Sequence, residues 1–270
     1  MGSPEFAVPS FEALSAAYEV VAVYTRAAKP AGRKMELAPT PVETSARKLG
    51  IPVFTPKTFK NSPADIAALS GLKPDYIIVF AYGLILPKEV LEIAPCVCVH
   101  PSLLPLWRGP NPIMRAVESG VDKSGICLIQ MDEGMDTGPV LMTREFDISD
   151  LTGGETETKI AALAPEMLLE YLARPADFPP RVQTGESTYA AKLSPDETKI
   201  DLDSDPASIY HKIRALSPAP CAWFEAADGK RVKILGARLA GSRLELLEVQ
   251  PEGKRPMPYS AYANGLRGKG

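Results

Sequence analysis

The chain has 270 residues, of which 45% are hydrophobic and 23% charged, and its formal net charge is −3. This length suffices for one large or two modest domains with buried cores. Four cysteines without a CxxC pair argue against a disulfide framework, and no apolar run is long enough to span a membrane. Together with a start, MGSPEFAVPSF, that lacks an export signal, these features predict a protein of the cytoplasm or of an organelle matrix.

The first half of the chain alternates strand-like and helix-like stretches. β-Branched apolar runs predict strands at 18–25, 51–56, 75–81, 97–100 and 125–131. Helical patterns follow at 42–49, 65–72, 88–93, 111–119 and 153–172. This alternation predicts an α/β fold with a Rossmann-like, mostly parallel sheet over residues 1–172.

The chain changes character at residues 173–190, which hold three prolines and little apolar periodicity and are predicted to form a linker. Residues 191–270 show a helix at 206–216 and short strands at 222–226, 231–238 and 243–249, which predict a small β-barrel domain. Residues 181–270 carry 14 basic and 11 acidic side chains. This excess weakly favours a partner with phosphates, and a chance asymmetry explains it equally well.

Two loops follow predicted strands and carry groups suited to proton transfer. VHPSLLPLWRG contains His100, one of two histidines, and MDEGMDTG contains Asp132, Glu133 and Asp136. Because ligands bind beyond the carboxyl ends of strands in open α/β sheets, we expect His100 and a carboxylate to meet there. The carboxylate would orient the imidazole and favour its charged form. His100 as a hydrogen-bonded core residue is the alternative, and the Pro and Gly residues of both loops favour a ligand site.

The segments HPSLLPLWRGPNPI and QMDEGMDTG resemble the signature loops of the folate-dependent formyltransferases. Nearly the whole chain is similar to the branch that formylates the amino group of initiator methionyl-tRNA. GSPEFAVPSFEAL resembles its N-terminal loop and helix, and KPAGRKMELAPTPV its loop on the acceptor stem. QTGESTYAAKLSPDETKIDLD and RALSPAPCAWF resemble its linker and C-terminal domain. The resemblance implies the formyltransferase fold with an OB-like, tRNA-binding C-terminal barrel.

The resemblance also implies a reaction and a set of site residues. The formyl donor would be 10-formyltetrahydrofolate, the acceptor initiator methionyl-tRNA, and the enzyme a monomer without a metal. His100 would stabilise the developing charge and shuttle the amine proton, and Asp136 would orient His100. The residues expected to contact folate are Ala81, Tyr82, Gly83, Leu84, Ile85, Ser102, Leu103, Leu104, Pro105, Asp132, Glu133, Gly134 and Met135.

Two further binding regions are implied in the same way. Lys29, Arg33 and Lys34 would contact tRNA phosphates, and three cations in a solvated loop are the alternative. Phe6 would contribute to the methionyl pocket, with core packing as an equal alternative.

The chain departs from the family at Cys98, where the family has an Asn that donates its amide to the oxyanion. Residues two apart on a strand share a face, so Cys98 points where His100 points. Because a thiol is a weak donor and a lost oxyanion donor costs about 10²–10³ in rate, we expect impaired turnover. A thiolate nucleophile beside His100, or a metal site of Cys96, Cys98 and His100, are weaker alternatives.

Two stretches of family sequence are missing. The family has a central strand before GSPEF, and without it the neighbouring strands are expected to expose unpaired backbone. Between Leu239 and Gly241 the family usually carries further strand and turn residues, which this chain lacks.

Two other functions stay open at this point: a non-catalytic relative that binds folate or tRNA, and a folate-dependent formyltransferase or hydrolase with another substrate.

Overall fold

A computed structural model describes residues 1–31 and 36–267 and divides into two compact units. The first comprises Met1–Pro110, Gly125–Glu145 and Thr158–Tyr189, and the second Asn111–Ser124, Phe146–Glu157 and Ala190–Gly270. The predicted limits at 172 and 190 stay a prediction. Among the described residues, every helix is too short or too polar to cross a membrane.

Eight α-helices lie in the described part of the chain. They are α1 (Val8–Ala17), α2 (Pro41–Lys48), α3 (Pro63–Gly71), α4 (Lys88–Leu91), α5 (Pro112–Glu118), α6 (Gly153–Ala173), α7 (Pro206–Ala215) and α8 (Tyr259–Arg267). Three of them begin at side-chain caps, because Thr40 accepts a hydrogen bond from Glu43 N, Thr152 accepts one from Glu155 N, and Asp205 accepts one from Ser208 N. Single turns of 3₁₀ helix occur at Glu5–Ala7, Pro175–Asp177 and Pro195–Thr198.

The first eight strands vary from two to eight residues in length. They are β1 (Val23–Tyr24), β2 (Lys29–Ala31), β3 (Glu36–Ala38), β4 (Val53–Phe54), β5 (Ile77–Val79), β6 (Cys96–His100), β7 (Lys123–Gln130) and β8 (Val140–Asp147). The remaining strands are β9 (Trp223–Glu225), β10 (Arg231–Ala240), β11 (Arg243–Pro251) and β12 (Met257–Pro258). The hairpin of β2 and β3 and the strand β8 were not predicted.

The α/β architecture with mostly parallel pairing is confirmed, but one continuous sheet is not found among the described residues. The strands form a pair, β1–β4, and a four-stranded sheet in the order β5-β6-β7-β8. β1 runs parallel to β4 and β5 parallel to β6, whereas β6 and β7 are antiparallel.

The position between β1 and β5 is filled only at one end. Gly2 N donates to Tyr24 O, and Phe80 N donates to Met1 O. A cavity of about 400 Å³, lined by Leu69 and Leu168 among others, lies between the two strands. The cavity leaves most of this edge of β1 without a backbone partner among the described residues. It also explains why the strand predicted at 18–25 is reduced to Val23–Tyr24, since one of its edges has almost no partner.

An apolar core behind β5 and β6 fixes the two strands that lead to the site. Phe59 and Val90 are wholly buried there, beside Val79 and Cys96. Because burial of an apolar side chain contributes about 1.5–3 kcal/mol, this cluster sets the register of the short strands.

The second unit, here named the C-terminal unit for its largest segment, Ala190–Gly270, contains an antiparallel sheet in the order β12-β11-β10-β9. Ile209 and Ile213 of α7 pack with Ile234 and Val249 in its core. The strands of the described residues do not close on themselves, so the predicted OB-like barrel is not confirmed. Between Leu239 and Gly241, where the sequence lacks residues found in the family it resembles, β10 turns directly into β11. Ala240 lies opposite Arg243, and Gly241 has φ +62°.

Candidate active site

The strand β6 places Cys98 and His100 on one face. It lies inside its sheet, where β5 pairs with Cys96–Cys98 and β7 pairs with Val97–His100. His100, the last residue of the strand, is only 4% exposed, and Cys98 is half-buried.

Both ring nitrogens of His100 face a polar partner. Nε2 lies 3.0 Å from the carbonyl oxygen of Trp107, and Nδ1 lies 3.5 Å from Oδ1 of Asp136. Since a carbonyl can only accept a hydrogen bond, Nε2 carries a proton, and Nδ1 is the position that protonation adds beside the carboxylate. The structure therefore brings together the predicted His100–Asp136 pair.

The charge state of His100 differs from the expectation. Burial lowers the pKa of His100 below its ordinary value, and Asp136 and the Trp107 carbonyl act in the opposite direction without outweighing it. Asp136 favours the charged imidazole as predicted, but the buried position makes the neutral imidazole the prevailing form near neutral pH. A neutral imidazole is able to accept a proton at Nδ1.

The convergence of His100 and Asp136 does not arise from parallel strand ends. β7 is antiparallel to β6, with Gln130 opposite Val97, so the two carboxyl ends lie at opposite edges. The loop after β7 instead folds back along β6, and Gly109 N donates to Oδ2 of Asp136 over 2.7 Å. The expectation of adjacent strand ends was wrong, because the sequence pattern does not give the direction of a strand.

Two residues of this site escaped the sequence analysis. Gln183 donates from Nε2 to the carbonyl oxygens of Asp136 and Gly138, each over 2.8 Å. Oγ1 of Thr188 accepts a hydrogen bond from Trp107 N, also over 2.8 Å. Both residues lie in the predicted linker, 173–190, which has no helix or strand pattern. Polar side chains in such a segment usually face solvent, so nothing in the sequence placed them in the site.

Cys98 lies among apolar neighbours. It packs on the buried cluster of Cys127, Ile129 and Val140. Burial, followed by the charge of Asp136, raises the pKa of the Cys98 thiol far above its ordinary value. The thiol therefore stays protonated, which argues against a thiolate nucleophile. Among residues 1–31 and 36–267, no three His, Cys, Asp or Glu side chains are grouped so as to hold a metal ion.

The loop at 81–85 follows β5 and is partly exposed. Ala81 and Gly83 both have positive φ and are exposed, Leu84 is half-buried, and Ile85 is 78% exposed. Tyr82 differs, because its side chain is 1% exposed and packs in the core beside Phe59. Burial raises the pKa of Tyr82, and its hydroxyl has no hydrogen-bond partner within the described residues. Its side chain does not line a surface for a ligand.

The other two loops with predicted folate contacts differ in exposure. Ser102 is fully buried and donates to Leu106 O over 2.7 Å, whereas Leu103, Leu104 and Pro105 are half-buried. The residues Asp132, Glu133, Gly134 and Met135 are all exposed. Oδ1 of Asp132 accepts hydrogen bonds from Gly134 N and Thr137 Oγ1, which closes this loop on itself.

The predicted tRNA and methionyl residues are placed only in part. Lys29 is exposed in β2, whose partner is β3, while Arg33 and Lys34 lie outside the described residues. Phe6 is half-buried and meets Phe80 edge to face, with ring centroids 5.1 Å apart. This contact supports the packing role of Phe6 at least as well as the pocket role.

A family model described as formyl transferase matches residues 8–172, and one described as formyl transferase, C-terminal domain, matches residues 192–243. The chain belongs to the formyl transferase family. It is 39% identical to a methionyl-tRNA formyltransferase of Paracoccus denitrificans, over 98% of this chain and 96% of the relative. It is 44% identical to that of Rhizorhabdus wittichii, over 87% of this chain and 77% of the relative.

Solved structures resemble this formyl transferase in fold. Methionyl-tRNA formyltransferase from Clostridium thermocellum superposes with a TM-score of 0.61 at 24% identity, covering 77% of this chain and 91% of the other. HypX from Aquifex aeolicus in complex with tetrahydrofolic acid gives 0.59 at 20% identity, covering 80% of this chain and 43% of the other. At these identities the structures support the fold and not the assignment of particular residues.

Proposed function

We propose that the protein transfers a formyl group from 10-formyltetrahydrofolate to the amino group of initiator methionyl-tRNA. The observation that carries this proposal is the His100–Asp136 pair in a chain about 40% identical, over most of its length, to methionyl-tRNA formyltransferases. The pair offers what acyl transfer to an amine requires, namely an imidazole in a buried position and a carboxylate that orients it.

His100 and Asp136 act on the charge and the proton that the transfer produces. The amine attacks the formyl carbon, negative charge develops on the formyl oxygen, and the carbon–nitrogen bond to the folate breaks while the amine loses a proton. Nε2–H of His100 leaves the carbonyl oxygen of Trp107 and donates its hydrogen bond to the charged formyl oxygen instead. Nδ1 accepts the proton of the amine and passes it to the folate nitrogen that leaves, and the Asp136 carboxylate stabilises the charged imidazole in between.

The loops around this pair fit a folate. Ile85 and Met135 expose 78% and 48% of their surfaces, although large apolar side chains usually avoid water, and they suit the flat face of a pterin. The exposed carboxylates of Asp132 and Glu133 suit the donor groups at its edge. We assign the backbone of Tyr82 and Ser102, rather than their buried side chains, to this site. When bound, the folate supplies the activated formyl group.

Basic residues of both units fit a tRNA. Lys29 lies on the hairpin that leads to Arg33 and Lys34. In the C-terminal unit, Arg231 lies 4.1 Å and Lys199 5.4 Å from the ring centroid of Trp223, which joins cations to an aromatic face. We further assign the enzyme to the cytoplasm or an organelle matrix as a monomer, with the C-terminal unit as a barrel-like tRNA-binding domain.

The decisive assay measures formylation of radiolabelled methionyl-tRNA with 10-formyltetrahydrofolate, analysed on acid gels. We expect transfer that His100→Gln abolishes, at a rate limited by Cys98. No transfer from either the wild-type protein or Cys98→Asn, although both bind the folate, would instead identify a binding protein.

The tRNA assignment has its own test. Arg33→Ala should weaken tRNA binding and reduce the dependence of the binding constant on salt concentration, because one phosphate contact is lost. Folate binding serves as the control and should not change. Unaltered tRNA affinity in this variant would remove the loop from the proposed interface.

A further inference from the structure

The two groups that face the nitrogens of His100 belong to residues with unusual backbone. Trp107 has φ +62° and Asp136 has φ +55°. This left-handed conformation is unfavourable for residues with a Cβ, so it persists only where the surroundings hold it. The orientation of His100 therefore depends on whatever holds Trp107 and Asp136 in place.

A single stretch, residues 181–189, contacts both of them, and we name it the clamp segment. On the Trp107 side, Thr188 accepts from Trp107 N through its hydroxyl over 2.8 Å and from Arg108 N through its carbonyl over 3.0 Å. These two bonds fix the peptide groups on either side of Trp107 and so direct its carbonyl toward His100.

Gln183 performs the corresponding task on the Asp136 side. Its two amide hydrogens go to the carbonyl oxygens of Asp136 and Gly138, and its Oε1 accepts from Nε and Nη2 of Arg108 over 3.1 and 2.8 Å. All four hydrogen-bonding positions of the amide are thus used. Gln183 is half-buried, whereas the other eight residues of the clamp segment are exposed. It connects the loop after β6 to the loop after β7.

Both ends of the clamp segment are hydrogen-bonded to residues of β8 and of the loop before it. Arg181 and Val140 exchange backbone hydrogen bonds of 2.8 and 2.9 Å at the start of β8. Tyr189 Oη donates to Sδ of Met135 over 2.8 Å. The segment therefore crosses the site between two fixed points, and Gln183 and Thr188 stand in between.

We propose that Gln183 and Thr188 are positioning residues for the formyl transfer, acting through Asp136 and Trp107. This inference rests on the proposed function for its kinetic consequence and on geometry alone for its effect on the imidazole. Neither side chain contacts His100. They hold the carboxylate and the carbonyl that orient the ring and that favour its charged form.

The test uses substitutions that remove a hydrogen bond and keep the shape. Gln183→Glu retains the acceptor for Arg108 and removes both donors to the loop after β7. Thr188→Val removes the hydroxyl, and Thr188→Ser keeps it. Gln250→Glu is the matched control, because Gln250 also donates from Nε2 to a backbone carbonyl, that of Lys254, but belongs to the C-terminal unit.

We expect Gln183→Glu and Thr188→Val to lower kcat by roughly tenfold to a hundredfold, since small misplacements of a catalytic group have effects of this size. KM for both substrates should change little. In an NMR titration of Thr188→Val the pKa of His100 should fall, because the Trp107 carbonyl that raises it moves away, while the pKa of His211 serves as internal reference. Thr188→Ser should retain the wild-type kcat and His100 titration. Gln250→Glu adds a charge to the unit assigned to tRNA, and it should retain the wild-type kcat at saturating methionyl-tRNA.

An unchanged His100 titration in Thr188→Val overturns the proposal, whatever the activity. So does a loss of kcat that Thr188→Ser shares, because the hydroxyl would then have no part in it. If Gln183→Glu fails to fold, the Thr188 pair decides. Should the wild-type protein transfer no formyl group, the proposed function fails, and the titration still decides whether the clamp segment orients His100.

Discussion

Replacement of Cys98 by Asn should increase the rate of formyl transfer. Cys98 shares a face of β6 with His100, and burial raises the pKa of its thiol, so the side chain is a neutral, weak donor. An amide N–H at this position adds one donor for the developing oxyanion, which is worth about 3–4 kcal/mol, or about 10²–10³ in kcat.

A structural cost opposes part of this gain. Cys98 packs on Cys127, Ile129 and Val140, and the larger amide must find room beside them. Overpacking of this kind typically costs about 1–3 kcal/mol of stability. The cost falls on folding rather than on the transition state, so the Cys98→Asn variant should melt earlier and react faster.

The measurement is kcat and KM for methionyl-tRNA formylation by wild type, Cys98→Asn, Cys98→Ser and Cys98→Ala. The hydroxyl of Ser, a better donor than a thiol, should give an intermediate rate, and Ala should give no gain. The reasoning is refuted if Cys98→Asn folds and binds both substrates without acceleration, or if the Ala variant is as fast as the Asn variant.

Three other substitutions test the geometry of the site. Asp136→Asn should lower the pKa of His100 in an NMR titration and slow formyl transfer by about a hundredfold or more, since the carboxylate raises that pKa and stabilises the charged ring; an unshifted titration contradicts this. Gly138→Ala should lower the free energy of unfolding in urea by about 1–3 kcal/mol, because its Cβ would overlap a backbone carbonyl; Gly71→Ala, which meets open space, is the control and should not destabilise the protein. Tyr82→Phe removes a buried hydroxyl without a partner among the described residues and should raise that free energy by about 1 kcal/mol with KM for folate unchanged; an increase in KM would return the Tyr82 side chain to the binding site.

The fold class and the candidate site residues were within reach of the sequence. Alternating apolar runs gave strands and helices near their observed positions, and the punctuated loops identified His100 and Asp136. The exceptions have local causes. The strand expected at 18–25 shrinks to Val23–Tyr24 because one edge lacks a partner, and the C-terminal strands form a sheet that does not close within the described residues.

The sequence by itself determined which residue types stand where: an imidazole at position 100, a carboxylate at position 136, and a thiol two residues before the imidazole. Only the tertiary structure decided how they meet. Strand direction is set by long-range hydrogen bonds, so the antiparallel course of β7 could not be read from its apolar pattern. The pKa of His100 depends on burial, which many distant residues create together. For the same reason Gln183, far along the chain from both loops it joins, acquires its role only in the folded protein.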